Sequence, residues 1–225
     1  MWATRLGVAA VVAFVMGPIL AHLGILPALG GFAVFGLGGL LGIVATVVGI
    51  IAAVRGRGVG LGLVCGALVA VVFLAVASRG GKVPRINDIT TDTTNPPQFV
   101  AAGSLPRNQG RDMAYPGPSF AEQQRAGYPD LAPLSVAGSP DDVYKRVEAA
   151  ARQMPTWQIT RNDPAAHALE GVDTTALFQF QDDFVIEVRP QGSGSVVQMR
   201  SKSRDGKGDI GANAARINAF FAKLK

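Results

Sequence analysis

"DFVIEVRPQGSGSVVQMRSKS", residues 183–203, is the stretch whose reading decides the fold. In its first half Phe184, Ile186 and Val188 alternate with Val185, Glu187 and Arg189. That period of two belongs to a strand with one buried face. The "QGSG" that follows is short enough for a hairpin, so "SVVQMRSKS" is expected to return antiparallel to the first strand. Upstream, "WQIT" (157–160) and "HALEGVDTTALFQF" (167–180) are further β-prone runs, and "QDD" (181–183) is read as the turn into the quoted strand. The four runs predict an antiparallel meander.

Helices are expected on both sides of it. "SPDD" at 139–142 supplies an N-cap serine, a proline at the first helical position and two acids for the positive helix end. Val143, Val147, Ala150 and Met154 then fall on one face, and Pro155 stops the helix. At the other end Ile210, Ala214, Ile217, Phe221 and Leu224 form an apolar stripe behind Asp209, which can cap the helix. The expected domain at 139–225 is α+β, a β-meander flanked by two helices. Residues 83–138 hold eight prolines and no sustained apolar period, and are expected to be an extended connection packed on this domain.

The first 82 residues are of another kind. They hold no Asp or Glu and only Arg5, Arg55, Arg57, Arg79 and Lys82, whereas all 16 acids lie later in the chain. Three apolar runs, Leu6–Leu23, Gly31–Val54 and Val59–Ser78, are each long enough to cross a hydrocarbon core of about 30 Å as a helix. The first is too long for the apolar core of a signal peptide and is expected to stay uncleaved. Residues 1–82 are thus expected to be a three-helix transmembrane anchor. The short link between the first two runs has no Lys or Arg, while "RGRG" joins the second to the third. This places the N-terminus in the cytoplasm of a bacterial inner-membrane protein and the C-terminal domain in the periplasm. Arg79, Lys82 and Arg85 weigh the other way, but a folded domain translocates largely regardless of such charges. Gly38-x-x-x-Gly42 and Gly62-x-x-x-Gly66 allow close helix packing, within the bundle or against self or another membrane protein.

Several function classes fall away on composition. The chain carries a net +5, all of it in the anchor, so the balanced domain lacks the cationic surface nucleic acid requires. The spans contain no carboxylate, Lys or Arg to mark an ion path. Cys65 is the only cysteine and lies within the third run, so the domain has no disulfide and no thiolate nucleophile. His167 is its one histidine, with no ligand spacing around it and no G-x-S-x-G elbow, so neither a metal nor a serine nucleophile is expected. Asp182 and Asp183 are adjacent, so their side chains diverge and suit a turn better than paired acid–base work. Gly206-x-Gly208-x-x-Gly211 looks like a dinucleotide turn, but no second strand and no ribose-binding acid follow it. No cofactor is expected. Gly206 and Gly208 are read as positive-φ residues of a strand-to-helix turn, and Gly211 as the close approach of helix to sheet.

"PRINDITTDTTNPPQF" (84–99), "TALFQFQDDFVIEVRP" (175–190) and "SRDGKGDIGANAARINAFF" (203–221) together resemble the domain-of-unknown-function family numbered fourteen ninety-nine, over about residues 83–225. The resemblance implies an exported or membrane-tethered protein with no established activity to carry over. It groups Arg85, Asn87, Asp88, Asp182, Asp183, Ser203, Arg204, Asp209, Asn213 and Arg216 as one polar constellation. The chain is expected to be a membrane-anchored periplasmic accessory or binding protein, not an enzyme. The alternatives are a binder of lipid or a small hydrophobic ligand, with Phe178, Phe180, Phe184 and Phe221 around a pocket, or a hydrolase using Asp182, Asp183 or Asp209.

Overall fold

A computed structural model describes residues 2–58, 60–80 and 83–225, with the side chain of Arg79 also left aside. Val59, the first residue of the third apolar run, and Lys82, one of its flanking cations, lie outside the described residues. The chain divides into two units, Met1–Lys82 with Ala176–Gln179, and Val83–Thr175 with Phe180–Lys225.

The first unit is built on helices α1 (Trp2–His22), α2 (Ala28–Ala52) and α3 (Leu61–Gly80). Three helical stretches, Trp2–His22, Ala28–Arg57 and Leu61–Ser78, are long and apolar enough to cross a bilayer, and so are compatible with membrane anchoring. Glycine sets how closely they pack. A Cβ at Gly42 would fall 2.7 Å from Val69 of α3, and one at Gly66 would fall 2.8 Å from Ala45 of α2. Gly38 and Gly62 face α1 instead, against Phe14 and Ala3. Both glycine spacings are therefore used within the bundle. Phe178 also belongs to this unit, its ring meeting those of Phe32 and Phe35 at 5.3 and 5.4 Å.

The second unit centres on a six-stranded sheet: β1 (Asp88–Thr90), β2 (Leu134–Val136), β3 (Trp157–Asp163), β4 (Ala168–Thr174), β5 (Gln181–Gln191) and β6 (Gly194–Ser203). The strand order is β1-β6-β5-β4-β3, with β2 also on β6, and every pairing is antiparallel. The β5–β6 hairpin forms as its sequence predicts. Gln191 pairs with Gly194 and only Gly192 of the two turn residues has positive φ, the pattern of a type II′ turn. "QDD" is not a turn: Asp182 and Asp183 are strand residues paired with Ser203 and Lys202. Alternation along β5 sends the two carboxyls to opposite faces of the sheet.

The proline-rich connection is more than a covering. It supplies β1, β2 and helix α4 (Pro118–Gly127), and the two short strands pair in tandem along the free edge of β6. Gln124 of α4 seals this edge by accepting from the Thr90 amide at 2.9 Å and donating to the Thr90 carbonyl at 2.6 Å. A bonded edge offers no row of open backbone groups to another chain.

Helices α5 (Pro140–Arg152) and α6 (Ala212–Leu224) cover one face. Ser139 caps α5, accepting from the Asp142 amide at 3.2 Å. The buried stripes Val143, Val147 and Ala150 of α5 and Ala214, Ile217, Phe221 and Leu224 of α6 meet Leu169, Phe184, Ile186, Val188 and Met199 from the strands. The Trp157 ring lies 4.0 Å from Phe184 and 5.1 Å from Phe220. Phe184 and Phe221 are thus core residues of this unit. Ile210 leaves the stripe foreseen for it: it precedes α6, has φ 54° and is exposed.

Candidate functional site

The ten residues of the polar constellation do not converge on one spot. The sheet separates them into two networks.

On the helix face the organising group is Arg216 of α6. It donates to Asp182 at 2.6 Å, to Asp173 through Nε, and to Ser201 at 2.9 Å. Asn213, one turn earlier, accepts from Arg216 and from the Ser201 hydroxyl at 2.7 Å, and donates to Ser203 Oγ at 2.9 Å. A cation buried against two carboxylates, a hydroxyl and an amide oxygen is one whose donors are used, as burial demands. Burial raises the Asp182 carboxyl above its ordinary 3.8, and Arg216 opposes that shift only in part.

The strand-to-helix turn joins this network from outside. Asp209 accepts from the amides of Gly211 at 2.9 Å and Asn213 at 3.0 Å, satisfying helix-end donors from two residues before the N-cap Gly211. Positive φ falls on Gly206 (78°) and Gly211 (84°), not on Gly208 as the glycine pattern suggested. Gly208 instead makes room for the segment that leads into β1, since a Cβ there would lie 3.1 Å from Arg85 Cγ. Asn87 ties that segment to the turn: its side chain donates to Gly206 O at 2.7 Å and its carbonyl accepts from Ser203 N at 2.8 Å. Arg85 itself is exposed.

On the opposite face the covering is the loop segment between β1 and α4. Arg200, fully buried, holds Asp88 through two bonds of 2.8 and 2.7 Å and stacks over the rings of Phe99 and Tyr115. Lys202 adds a bond to the same carboxylate at 2.9 Å. Asp183 is clasped by Arg204 at 3.0 and 2.7 Å and by Asn108 at 2.9 Å. Glu170, also fully buried, accepts from the consecutive amides of Val100, Ala101 and Ala102.

Pairing across the sheet of Arg189, Arg200 and Arg204 with Glu170, Glu187 and Asp173, the ordinary fate of charges so placed in the sequence, is largely replaced. Arg200 takes Asp88, Arg204 takes Asp183, Arg216 takes Asp173, and only Arg189 keeps Glu187, on its own strand. Ser201 and Asn108 are network members that sequence reasoning did not name, and Asp173, Arg200 and Glu170 take partners other than those their strand positions suggested. The one available signal was the polar half of "VVQMRSKS", where charge and hydroxyl groups sit on a strand with no exposed side. Among the described residues no group of three His, Cys, Asp or Glu side chains is placed to hold a metal ion. His167 instead bonds Asp141 at 2.7 Å, which holds that carboxyl below its ordinary value.

Three long apolar helices, compatible with membrane anchoring, precede an α+β domain whose sheet carries buried ion pairs on both faces. Residues 88–224 match the model of the family described as "Protein of unknown function (DUF1499)", and the chain belongs to that family. No curated protein is similar enough to the chain to be counted as a relative.

Proposed function

We propose that the chain is a non-enzymatic accessory or binding module, held by its three spans in a bacterial inner membrane with the α+β domain in the periplasm. The observation that supports this reading is the fate of the carboxylates a hydrolase would need. Asp182 is engaged by Arg216, Asp183 by Arg204 and Asn108, and Asp209 by two backbone amides. A general acid or base must reach a substrate proton at hydrogen-bond distance, and these groups are consumed by the fold. The bilayer is the first partner, and other membrane proteins or a second copy of the chain complete the set.

Crosslinking in native membranes followed by affinity capture and mass spectrometry tests the reading. The expected result is one reproducible protein neighbour that disappears when the domain is deleted and the spans are kept. Substrate turnover by the purified chain, lost in Asp182→Asn or Asp183→Asn, would overturn it. Reporter fusions after Lys225 test the orientation, with activity expected only from a periplasmic reporter.

A further inference from the structure

On the loop-covered face, a cleft of about 210 Å³ opens between the short helical turn Pro106–Asn108 and strands β3, β4 and β5. Its polar lining is Arg107, Arg204, Gln181, Gln158 and Thr160, over an apolar floor at Val172. Arg107 and Arg204 donate to the same acceptor, Gln181 Oε1, at 3.0 and 2.6 Å. Two like charges thus share one neutral oxygen. The charge of Arg204 is answered by Asp183. That of Arg107 is not answered as closely: its nearest carboxylate, Asp205, stands 3.7 Å away, and the guanidinium is half exposed. Behind them Arg111 donates to the carbonyls of Ser203 and Arg204, with no carboxylate paired to it among the described residues. Three guanidinium groups therefore meet two carboxylates at this corner. Thr160 adds a buried hydroxyl with no hydrogen-bond partner among the described residues.

We infer that this cleft binds a small, water-soluble molecule carrying one phosphate or carboxylate group, with Arg107 as its anchor. A guanidinium presents its donors as a planar fork that matches two oxygens of such an anion, and Arg107 has committed only one nitrogen to Gln181. Gln181 fixes the fork's direction, since its oxygen holds Arg107 on one side and Arg204 on the other. Gln158 and Thr160 supply neutral polar groups for the rest of the ligand, and Val172 a dry wall. The volume lies below the roughly 300–1,000 Å³ of sites for drug-sized ligands, which matches a small ligand. The inference deepens the binding-module reading and rests on it.

The test is calorimetric titration of the full-length, detergent-solubilised protein with inorganic phosphate and, separately, with succinate. Saturable binding of at least one probe is expected, weakened about tenfold in Arg107→Ala and partly restored in Arg107→Lys. Thr160→Val, which keeps the shape and removes the hydroxyl, is expected to weaken binding severalfold with an unchanged melting temperature. Binding that is the same in wild type and Arg107→Ala, or no binding of either probe, overturns the assignment and leaves the accessory-module reading standing. Hydrolysis of p-nitrophenyl phosphate by the same preparation would overturn both.

Discussion

The two faces of the sheet are held by different physics. Under α5 and α6 the strands present Leu169, Phe184, Ile186, Val188 and Met199 to helical stripes, and the polar Arg216 network occupies one end. Under the loop segment the covering chain has little regular structure of its own. There the sheet presents Glu170, Asp183 and Arg200, which tie down a loop's backbone amides, an asparagine and backbone carbonyls. A loop laid over a sheet carries many backbone polar groups that need partners, and buried charged side chains supply them. An apolar face can be covered by any well-shaped apolar helix, whereas a charged face admits only the segment that satisfies it.

Removing a charge from the loop-covered face is the harshest way to break that comparison. Arg200→Ala leaves Asp88 facing Lys202 alone and releases the carbonyls of Pro97 and Met113, and is expected to cost about 3–5 kcal/mol. Chemical denaturation of the full chain in detergent, compared with wild type, measures it. A loss below about 1 kcal/mol would mean that the ion pairs guide the loop without holding it. On the helix face, Gly171→Ala would put a methyl 2.4 Å from the Phe184 ring and 2.7 Å from the Gln158 carbonyl. Overpacking of that kind is expected to cost about 1–3 kcal/mol in the same assay.

Two smaller effects sharpen the picture at the polar end of the helix face. Asp209→Ala removes the acceptor for two helix-end amides and is expected to cost about 1 kcal/mol, read as faster hydrogen exchange in the first turn of α6. The last is a pH effect at Asp182. Its folded-state value is raised above 3.8, so the native state keeps this proton to higher pH than the unfolded chain. The carboxyl's contribution is therefore fully present below about 3.8 and is lost as pH rises through the raised value. Melting temperatures of wild type and Asp182→Asn are expected to shift in favour of the variant across that interval, and to hold a constant difference above it.

The same contrast explains what the sequence made legible. Helices α5 and α6 and strand β5 were legible from periodicity, which an element with one dry face must display, and the other long strands from β-prone runs between turn signals, whereas α4 was not foreseen. Residues 88–90 and 134–136 carry no such period, because three-residue strands are placed by the edge they join and not by their own pattern. The assignment of "QDD" to a turn failed for a related reason: with both faces of β5 covered, an acidic pair can lie inside the strand. Asp88 and Asp183 could be named from the family resemblance, but Arg200, which holds Asp88, and Glu170, which holds the loop amides, gave no pattern to follow. The separation of the constellation into two networks depends on strand register, which no spacing along the chain reveals.

Strand β6 lies between β5 on one side and both β1 and β2 on the other, so residues near 88 wait for partners near 202. Contacts that distant along the chain slow folding, because a long loop must close before they form. A chain still on the ribosome therefore holds its first strand unpaired until almost all of the domain has emerged. The early segment, with its prolines and scattered aromatic residues, is thus among the parts of the domain that wait longest for their partners during synthesis.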